Sequence, residues 1–437
     1  MNPTNPPSPS GTARTVRTRP ARPRTVLVSG ASIAGPALAY WLTRRGCAVT
    51  VVEKAGALRS GGYPIDVRGT ALEVVRRMGV LPRLRDAHIA LRRLTFLDAH
   101  GGEVAAVAPH ALSGGTDGDL EVPRGDLTRA LYEAVRDDVE FLFRDSIDTI
   151  DTIGTSETGE TSDSTDPSGP GVDVTFRGGA TRTFDLVIGA DGLHSRTRGL
   201  IFGPKEQFHR YLGYCFAGFT MRNTLGLAHE AVLWNTPGRC AALYAPGDGD
   251  EVHALLTFAR RTPPPGAFRD PQASRELVAE VFADAGWEVP GMLSALYGAD
   301  DLFCDTVSQI RMPRWSSGRV ALVGDAAYAP SFLTGQGSSL ALVGAYMLAD
   351  CLAGRDHTAG FAAYEQATRT FVTLNQDLVG EGDAALFPIT ADALERRNAM
   401  LRGLSALPPT EAQPAHSALT LPAAAGPEVG LVVGPGV

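Results

Sequence analysis

The stretch Thr25-Val-Leu-Val-Ser-Gly-Ala-Ser-Ile-Ala-Gly-Pro-Ala-Leu-Ala-Tyr-Trp-Leu-Thr-Arg-Arg-Gly46 decides how this chain begins to fold. Thr25 to Ser29 is a short apolar run, too short for a helix and suited to a buried strand. A glycine-rich turn follows, and then an apolar helix. Pro36 is pre-set for the first helical turn, and Gly46 is fit to end it. Ala48 to Lys54 reads as a second strand. Strand, helix and strand in this order predict a parallel sheet.

The turn itself is Gly30-Ala31-Ser32-Ile33-Ala34-Gly35. It matches G-x-G-x-x-G except that Ser32 replaces the middle glycine, the position that lets a backbone approach a pyrophosphate. The serine crowds that approach slightly, and its hydroxyl can donate to a phosphate oxygen instead. The helix N-terminus behind the turn offers unpaired N–H groups and partial positive charge. Glu53 follows Gly30 by 23 residues. That is close to the ~20 expected for an acid that binds a ribose hydroxyl. An acid there disfavours a 2′-phosphate, so the spacing predicts FAD or NAD rather than NADP. A tight turn with a surface glutamate is the bland alternative.

The bulk numbers agree with a soluble, multi-domain protein. The chain has 437 residues, 44% hydrophobic and 20% charged, with a net charge of −8. The acidic balance argues against a nucleic-acid partner. No apolar run reaches the ~18 residues of a membrane span, and no secretory leader is visible. Five cysteines (Cys47, Cys215, Cys240, Cys304, Cys351), none at CxxC spacing, fit reduced packing residues of a cytoplasmic protein and no metal site. Residues 1–23 are rich in Pro, Ser, Thr and Arg, and 405–437 in Pro, Ala and Gly. Both read as disordered tails. Residues 151–171 are acidic and Ser/Thr/Gly-rich and read as a mobile hairpin loop.

Two further stretches carry chemistry. Phe184-Asp-Leu-Val-Ile-Gly-Ala-Asp-Gly-Leu-His-Ser-Arg-Thr-Arg198 is a buried strand ending on Asp191 and Gly192. Val320-Ala-Leu-Val-Gly-Asp-Ala-Ala-Tyr-Ala-Pro330 is another, ending on Gly324 and Asp325. A loop with Gly335 and Gly337 follows. The helix from Leu340 to Leu348 is apolar almost all round, hence buried.

Together, in this order, these stretches resemble the class A flavin-dependent monooxygenases of the para-hydroxybenzoate hydroxylase fold. The resemblance spans roughly Arg24 to Leu378. "GASIAGPALAYWL" and "LTGQGSSLALVGAYMLAD" place it nearest the tetracycline-inactivating and polyketide-tailoring branch. The resemblance implies an α/β chain with a Rossmann-like FAD-binding domain, a β-sheet substrate domain and a long C-terminal helix. The FAD domain would comprise 24–91, 117–205 and 300–355. The substrate domain would comprise 92–116 and 206–299, and 356–404 would be a C-terminal helical segment.

The resemblance also implies roles. Gly30, Ser32, Ile33, Ala34, Gly35, Glu53 and Lys54 would hold the ADP half of FAD. Gly324 and Asp325 would meet the ribityl or pyrophosphate region, with Arg124 near the ribityl chain. Asp191 and Gly192 match a motif tied to FAD and nicotinamide cofactors. Pro330, Gly335, Gly337 and Ser338 would lie beside the isoalloxazine ring, and Arg68 would border it. Ser339 stands where relatives often have Asn.

The implied cycle uses NADPH or NADH to reduce FAD and O2 to form a flavin C4a-hydroperoxide, which hydroxylates an organic substrate. The motifs leave Baeyer–Villiger insertion, epoxidation and oxidative rearrangement open, as well as a non-catalytic flavoprotein that sequesters its ligand. No side-chain base stands out. Tyr214, Phe216, Phe219, Met221, Arg222 and Trp234 are the substrate-lining candidates. Strand alternation allows only half of them to line a pocket. They suit an aromatic or polycyclic small molecule. A monomer or weak homodimer is expected.

Overall fold

The computed structural model describes residues 23–58, 63–109, 116, 118–152, 171–266, 268–380, 386–404 and 413–423. The expected N-terminal tail and most of the acidic hairpin loop lie outside the described residues.

The opening strand is Thr25–Ser29, as its composition predicts, and the helix behind it is Ala34–Arg44. Six strands form a largely parallel sheet in the spatial order Ser316–Ser317, Val320–Leu322, Leu186–Gly189, Thr25–Ser29, Ala48–Glu53, Glu140–Phe143. The apolar run of the first strand follows from burial on both faces. Val26 and Val28 pack toward the helices, whereas Leu27, Val52, Val187 and Val320 pack on a three-stranded sheet that includes Val172, Val174 and Phe176. Alternate residues of a strand point to opposite faces, so both sets must be apolar.

A second sheet has seven strands in the order Phe303–Ile310, His209–Arg222, Glu251–Ala259, Arg239–Ala245, Glu230–Thr236, Arg93–Leu97, Glu103–Val107. Its back face carries Cys215, Ala217, Phe219 and Trp234 and packs under two helices, Pro271–Val281 and Val289–Gly298. Its front face carries Tyr214, Phe216, Leu233 and Tyr244 and looks toward the first unit. Phe303–Ile310 therefore belongs to this sheet and not to the cofactor domain, where the sequence reading put it. Its alternating pattern and its pairing with His209–Arg222 decide the matter.

A two-stranded ribbon, Pro64–Val67 with Leu120–Pro123, lies between the two units. The buried helix is Gly337–Leu352, with fourteen residues buried along its length. It packs on Ala34–Arg44 and on the long helix His357–Asp377. Gln376 of that helix donates from Nε2 to the carbonyls of Ile310 (2.9 Å) and Tyr328 (3.1 Å). The C-terminal helix Ala391–Leu404 packs on the outer strand Glu103–Val107, so the carboxyl-terminal third touches both units.

The reading of residues 405–437 as a disordered tail needs correction for 413–423. Leu419 and Leu421 are buried in the same core as the first helix. The Thr70 hydroxyl donates to the Leu419 carbonyl (2.7 Å), and Arg77 Nη1 and the Tyr346 hydroxyl donate to that of Pro422 (2.6 and 3.0 Å). Asn375 Nδ2 donates to Ala415 O (2.8 Å). Composition suggested disorder because it averages over the segment. Two well-placed leucines and paired carbonyls are enough to fix a strap.

Leucine-to-alanine changes at buried sites cost about 2–5 kcal/mol each. Leu419→Ala and Leu421→Ala together should lower the urea midpoint of the whole protein. An unchanged midpoint would show that the strap carries no stability.

Candidate cofactor and substrate site

The C-terminal ends of three parallel strands meet at one edge of the first sheet, the place where open α/β sheets bind ligands. The first turn is the tightest part. Gly30 has φ 109°. A β-carbon there would lie 2.5 Å from the Ala190 carbonyl oxygen, and one on Gly35 would lie 1.9 Å from Gly30 O. Both positions need glycine. Glu53 accepts from the backbone N–H of Ala31 (2.9 Å) and of Ala55 (2.9 Å). In the structure, therefore, its carboxylate clamps the turn. The helix Ala34–Arg44 has no side-chain cap and no acid in its first turn. Its N-terminal N–H groups, with Ile33 and Ala34 at their head, remain available to an anion. Lys54 is exposed at the end of the second strand.

Arg124 starts the helix Arg124–Glu133 and donates from Nη2 to Ser32 Oγ (2.9 Å). This bond brings the guanidinium to the turn. Asp325 follows the strand Val320–Leu322 through Gly324, which has φ 65°. Burial raises the Asp325 carboxyl above its ordinary range, and the positive charges of Arg124 and Arg198 offset only part of that rise. Arg198 is itself 1% exposed. Its Nη1 and Nη2 bond the carbonyls of Ala326 (2.8 Å) and Leu193 (2.7 Å). One carboxylate thus lies in the positive field of two guanidinium groups and remains partly accessible.

Asp191 is placed differently from what its motif suggests. Its carboxylate accepts from Ser195 Oγ (2.5 Å) and from the N–H and hydroxyl of Thr197 (2.9 Å each). It is committed to starting the helix Arg196–Phe202, so the open groups of this loop are backbone.

The loop before the buried helix is held under strain. Ser331, after Pro330, has φ 81°, unusual for a residue with a side chain. Gln309 Nε2 donates to Pro330 O (3.0 Å) and fixes it. Gly335 has φ 63°, and a β-carbon there would lie 2.7 Å from Asp66 Oδ2. Gln336 is fully buried, yet neither its amide nitrogen nor its oxygen has a hydrogen-bond partner among the described residues. Leaving such a group unpaired costs about 1–3 kcal/mol. Gly337 and Ser338 open the helix. Ser339 accepts from the Arg68 N–H (3.0 Å), which ties the ribbon end to this helix. Arg68 Nη2 pairs with Asp66 Oδ1 (2.9 Å).

The packing between this loop and the front face of the second sheet is aromatic. Phe216 meets Phe332 (5.0 Å between ring centres), Phe303 (5.7 Å) and Tyr63 (6.3 Å). Tyr214 and Phe216 lie on this face as candidates. Phe219, Met221 and Trp234 do not. They point to the back, under the helices, and Trp234 Nε1 donates to Ala99 O (3.2 Å). Arg222 is exposed at its strand's end. Burial pushes the Tyr63 hydroxyl up to about 12, against the pull of Arg124. It therefore stays protonated and can only donate or accept a hydrogen bond.

Sequence reading placed the loops that hold Tyr63, Asp66 and Gln336 beside the flavin without giving these residues roles of their own, and it missed Glu121 and Phe332. A signal existed for the two acids, Asp66 and Glu121. In "PIDV" and "LEVP" the acids sit where alternation opposes apolar core residues. Glu121 lies directly opposite Asp66 on the ribbon. Burial, then the charge of Asp66, pushes its carboxyl up to about 7.

The FAD binding domain family profile matches residues 24–377. The chain is 36% identical over 387 residues to a flavin-dependent monooxygenase from an unknown prokaryotic organism, covering 87% of this chain and 96% of that one. The chain belongs to the FAD-dependent monooxygenases. A flavin-dependent monooxygenase of Legionella longbeachae is 33% identical, with 87% and 96% coverage. Among solved structures, the tetracycline destructase Tet(55) superposes with a TM-score of 0.76 and 34% identity, covering 92% of this monooxygenase and 99% of the destructase.

The residues present fit FAD. The turn held close by Gly30 and Gly35, the uncapped helix N-terminus, the carboxylate of Asp325 near two arginines and the orphaned Gln336 amide form a donor and acceptor set for a dinucleotide with a polar ring edge.

Two outcomes are expected. Asp325→Ala should weaken FAD binding about 100-fold, because hydrogen bonds to a charged group contribute about 1.5–3 kcal/mol each. Titration of flavin-stripped protein with FAD, followed by flavin fluorescence, measures this. Unchanged affinity would remove Asp325 from the site.

The second concerns Glu121. Its folded-state carboxyl holds a proton more tightly than the unfolded chain does. Native stability from this group is therefore full at acid pH and lost as pH rises from about 4.5 through about 7. Glu121→Gln should melt above the wild type at pH 8 and converge with it at pH 5.

Proposed function

We propose that this monooxygenase, reduced by NADPH or NADH, hydroxylates a hydrophobic aromatic or polycyclic small molecule of polyketide type in the aromatic cleft. The observation that carries this reading is the contact of Phe216, on the sheet, with Phe332, in the loop before Gly335–Gly337. A flat apolar substrate held there would face the same turn that the flavin ring would. The likeness to a tetracycline destructase points to the same substrate class.

When bound, FAD supplies the hydride-accepting and O2-activating chemistry. The chain's residues supply position and field. The first turn and the N-terminus of Ala34–Arg44 would hold the phosphates, with Arg124 and Ser32 beside them. Asp325 accepts hydrogen bonds and would take those of the ribityl hydroxyls. Gln336 would pair with the polar edge of the ring. The N-terminus of Gly337–Leu352 would stabilise negative charge that develops on the reduced ring, by up to ~2 kcal/mol when partly buried. Phe216, Phe332 and Tyr63 would exclude water and orient the substrate face.

The test is NAD(P)H consumption by the yellow, purified protein in air with tetracyclines and polycyclic phenols. Stimulated oxidation with a product heavier by one oxygen supports the reading. Phe216→Ala should then raise KM more than it lowers kcat. Stimulation only by small hydrophilic compounds would overturn the proposed substrate class.

A further inference from the structure

One wall of the cleft is not aromatic. Asp66 and Glu121 face each other directly across the ribbon. Their neighbours Val67, Leu120 and Val122 point the other way, into the core of the first unit. Both carboxylates therefore share the cleft side. Like charges directly opposed across a sheet are unfavourable. Arg68 neutralises Asp66 at 2.9 Å. No cation lies within ion-pair distance of Glu121 among the described residues. His88 meets it only through the Glu121 backbone N–H and carbonyl. From the opposite wall, Tyr244 turns its buried hydroxyl toward the Glu121 carboxyl, and this neutral neighbour offsets part of what burial does to the carboxyl. The other end of the acidic strip is Asp66 Oδ2, which lies against Gly335.

Whenever both carboxyls are ionised, the single Arg68 guanidinium leaves one negative charge uncompensated. A buried charge of this kind is costly unless it is paired. We propose that Glu121 is a specificity-determining residue of the cleft, which accepts a hydrogen bond from a protonated amine carried by the aromatic substrate, with Tyr244 beside it. This rests on the substrate occupying the cleft described above.

The charges that face Glu121 are those of Asp66 and Arg68 on the ribbon, and Tyr244 is its neutral neighbour on the sheet. Burial and Asp66 hold the carboxyl near 7, so about half of it carries a proton at neutral pH before a ligand binds. An ammonium drives it to the ionised form, and the proton goes to the buffer. A neutral ligand of the same shape releases none. Proton release on binding is therefore the signature, by linkage.

The experiment is isothermal titration of the FAD-loaded protein at pH 7 with tetracycline, which carries a dimethylammonium group, and with 4-dedimethylaminotetracycline, which lacks it. Buffers of different ionisation heat report the proton count. Tetracycline should bind about tenfold tighter or better, one such factor being ~1.4 kcal/mol, and should release about half a proton. Glu121→Gln should abolish both the preference and the release. Tyr244→Phe, which keeps the ring, should reduce the preference. A bolt that merely joined ribbon to sheet would change melting temperature in these variants without changing the proton count.

Equal affinity for the two ligands, no proton release, no binding of tetracycline, or an unaltered Glu121→Gln variant would each overturn the proposal. Flavin content and substrate-stimulated NAD(P)H oxidation by the same preparation report separately on the wider reading. Oxygenation of amine-free aromatics with undiminished kcat/KM would sink the amine and leave the monooxygenase standing.

Discussion

A hydrogen atom is all the chain can place on the α-carbon of residue 30 beyond its backbone. The Ala190 carbonyl oxygen stands 2.5 Å from where a β-carbon would be, and the Gly30 carbonyl in turn excludes one from residue 35. This close approach locks the first turn against the end of the strand Leu186–Gly189. Glu53 then ties the turn to the end of its own strand, accepting from the N–H of Ala31 and from that of Ala55. Everything else at that edge is referenced to this contact. Arg124 reaches Ser32 from one side, and Asp325 stands opposite Arg124 and Arg198 on the other. A turn that drifted by an ångström would leave two guanidinium groups and a buried carboxylate out of register.

The electrostatics follow a consistent pattern. Two groups of charges near the site are unequal in a way that a ligand can complete. Asp325 faces two arginines, an arrangement suited to hydroxyl donors and phosphates nearby. Asp66 and Glu121 face one arginine, an arrangement with the opposite deficit. Gln336, which follows Asp325 in the next loop, adds a neutral pair of unmet bonds among the described residues. Groups of this kind reduce stability in the free chain. Natural proteins tolerate such costs chiefly where function needs them.

The cofactor half was legible in the sequence because its signals are local. A strand, a glycine turn, a helix and an acid 23 residues on are all set by neighbours in the chain. The substrate half was less so. Alternation along His209–Arg222 said that Phe216 and Phe219 point apart, but not which faces the cleft. Only the packing of the two helices under Phe219 and Trp234 decides that. The motif at Asp191 was visible, but its carboxylate is spent on Ser195 and Thr197, a choice made by rotamer and not by spacing. Asp66 and Glu121 lie 55 residues apart in the chain, so their opposition is a fact of register. The strap at 413–423 was hidden by its composition.

That strap has a consequence for synthesis. The core that holds the first turn and its helix takes residues from Val26 at one end of the chain and Leu421 at the other. A ribosome exposes the first turn early, yet the segment that closes over Thr70, Arg77 and Tyr346 is made only after the whole second sheet and the buried helix. The cofactor-binding half is therefore begun first and finished last. During elongation the second sheet can close within one continuous stretch, His209 to Ile310, once its two outer strands from Arg93 to Val107 are waiting. A fusion appended at the carboxyl terminus would accordingly tether the closing piece of the opposite half of the molecule.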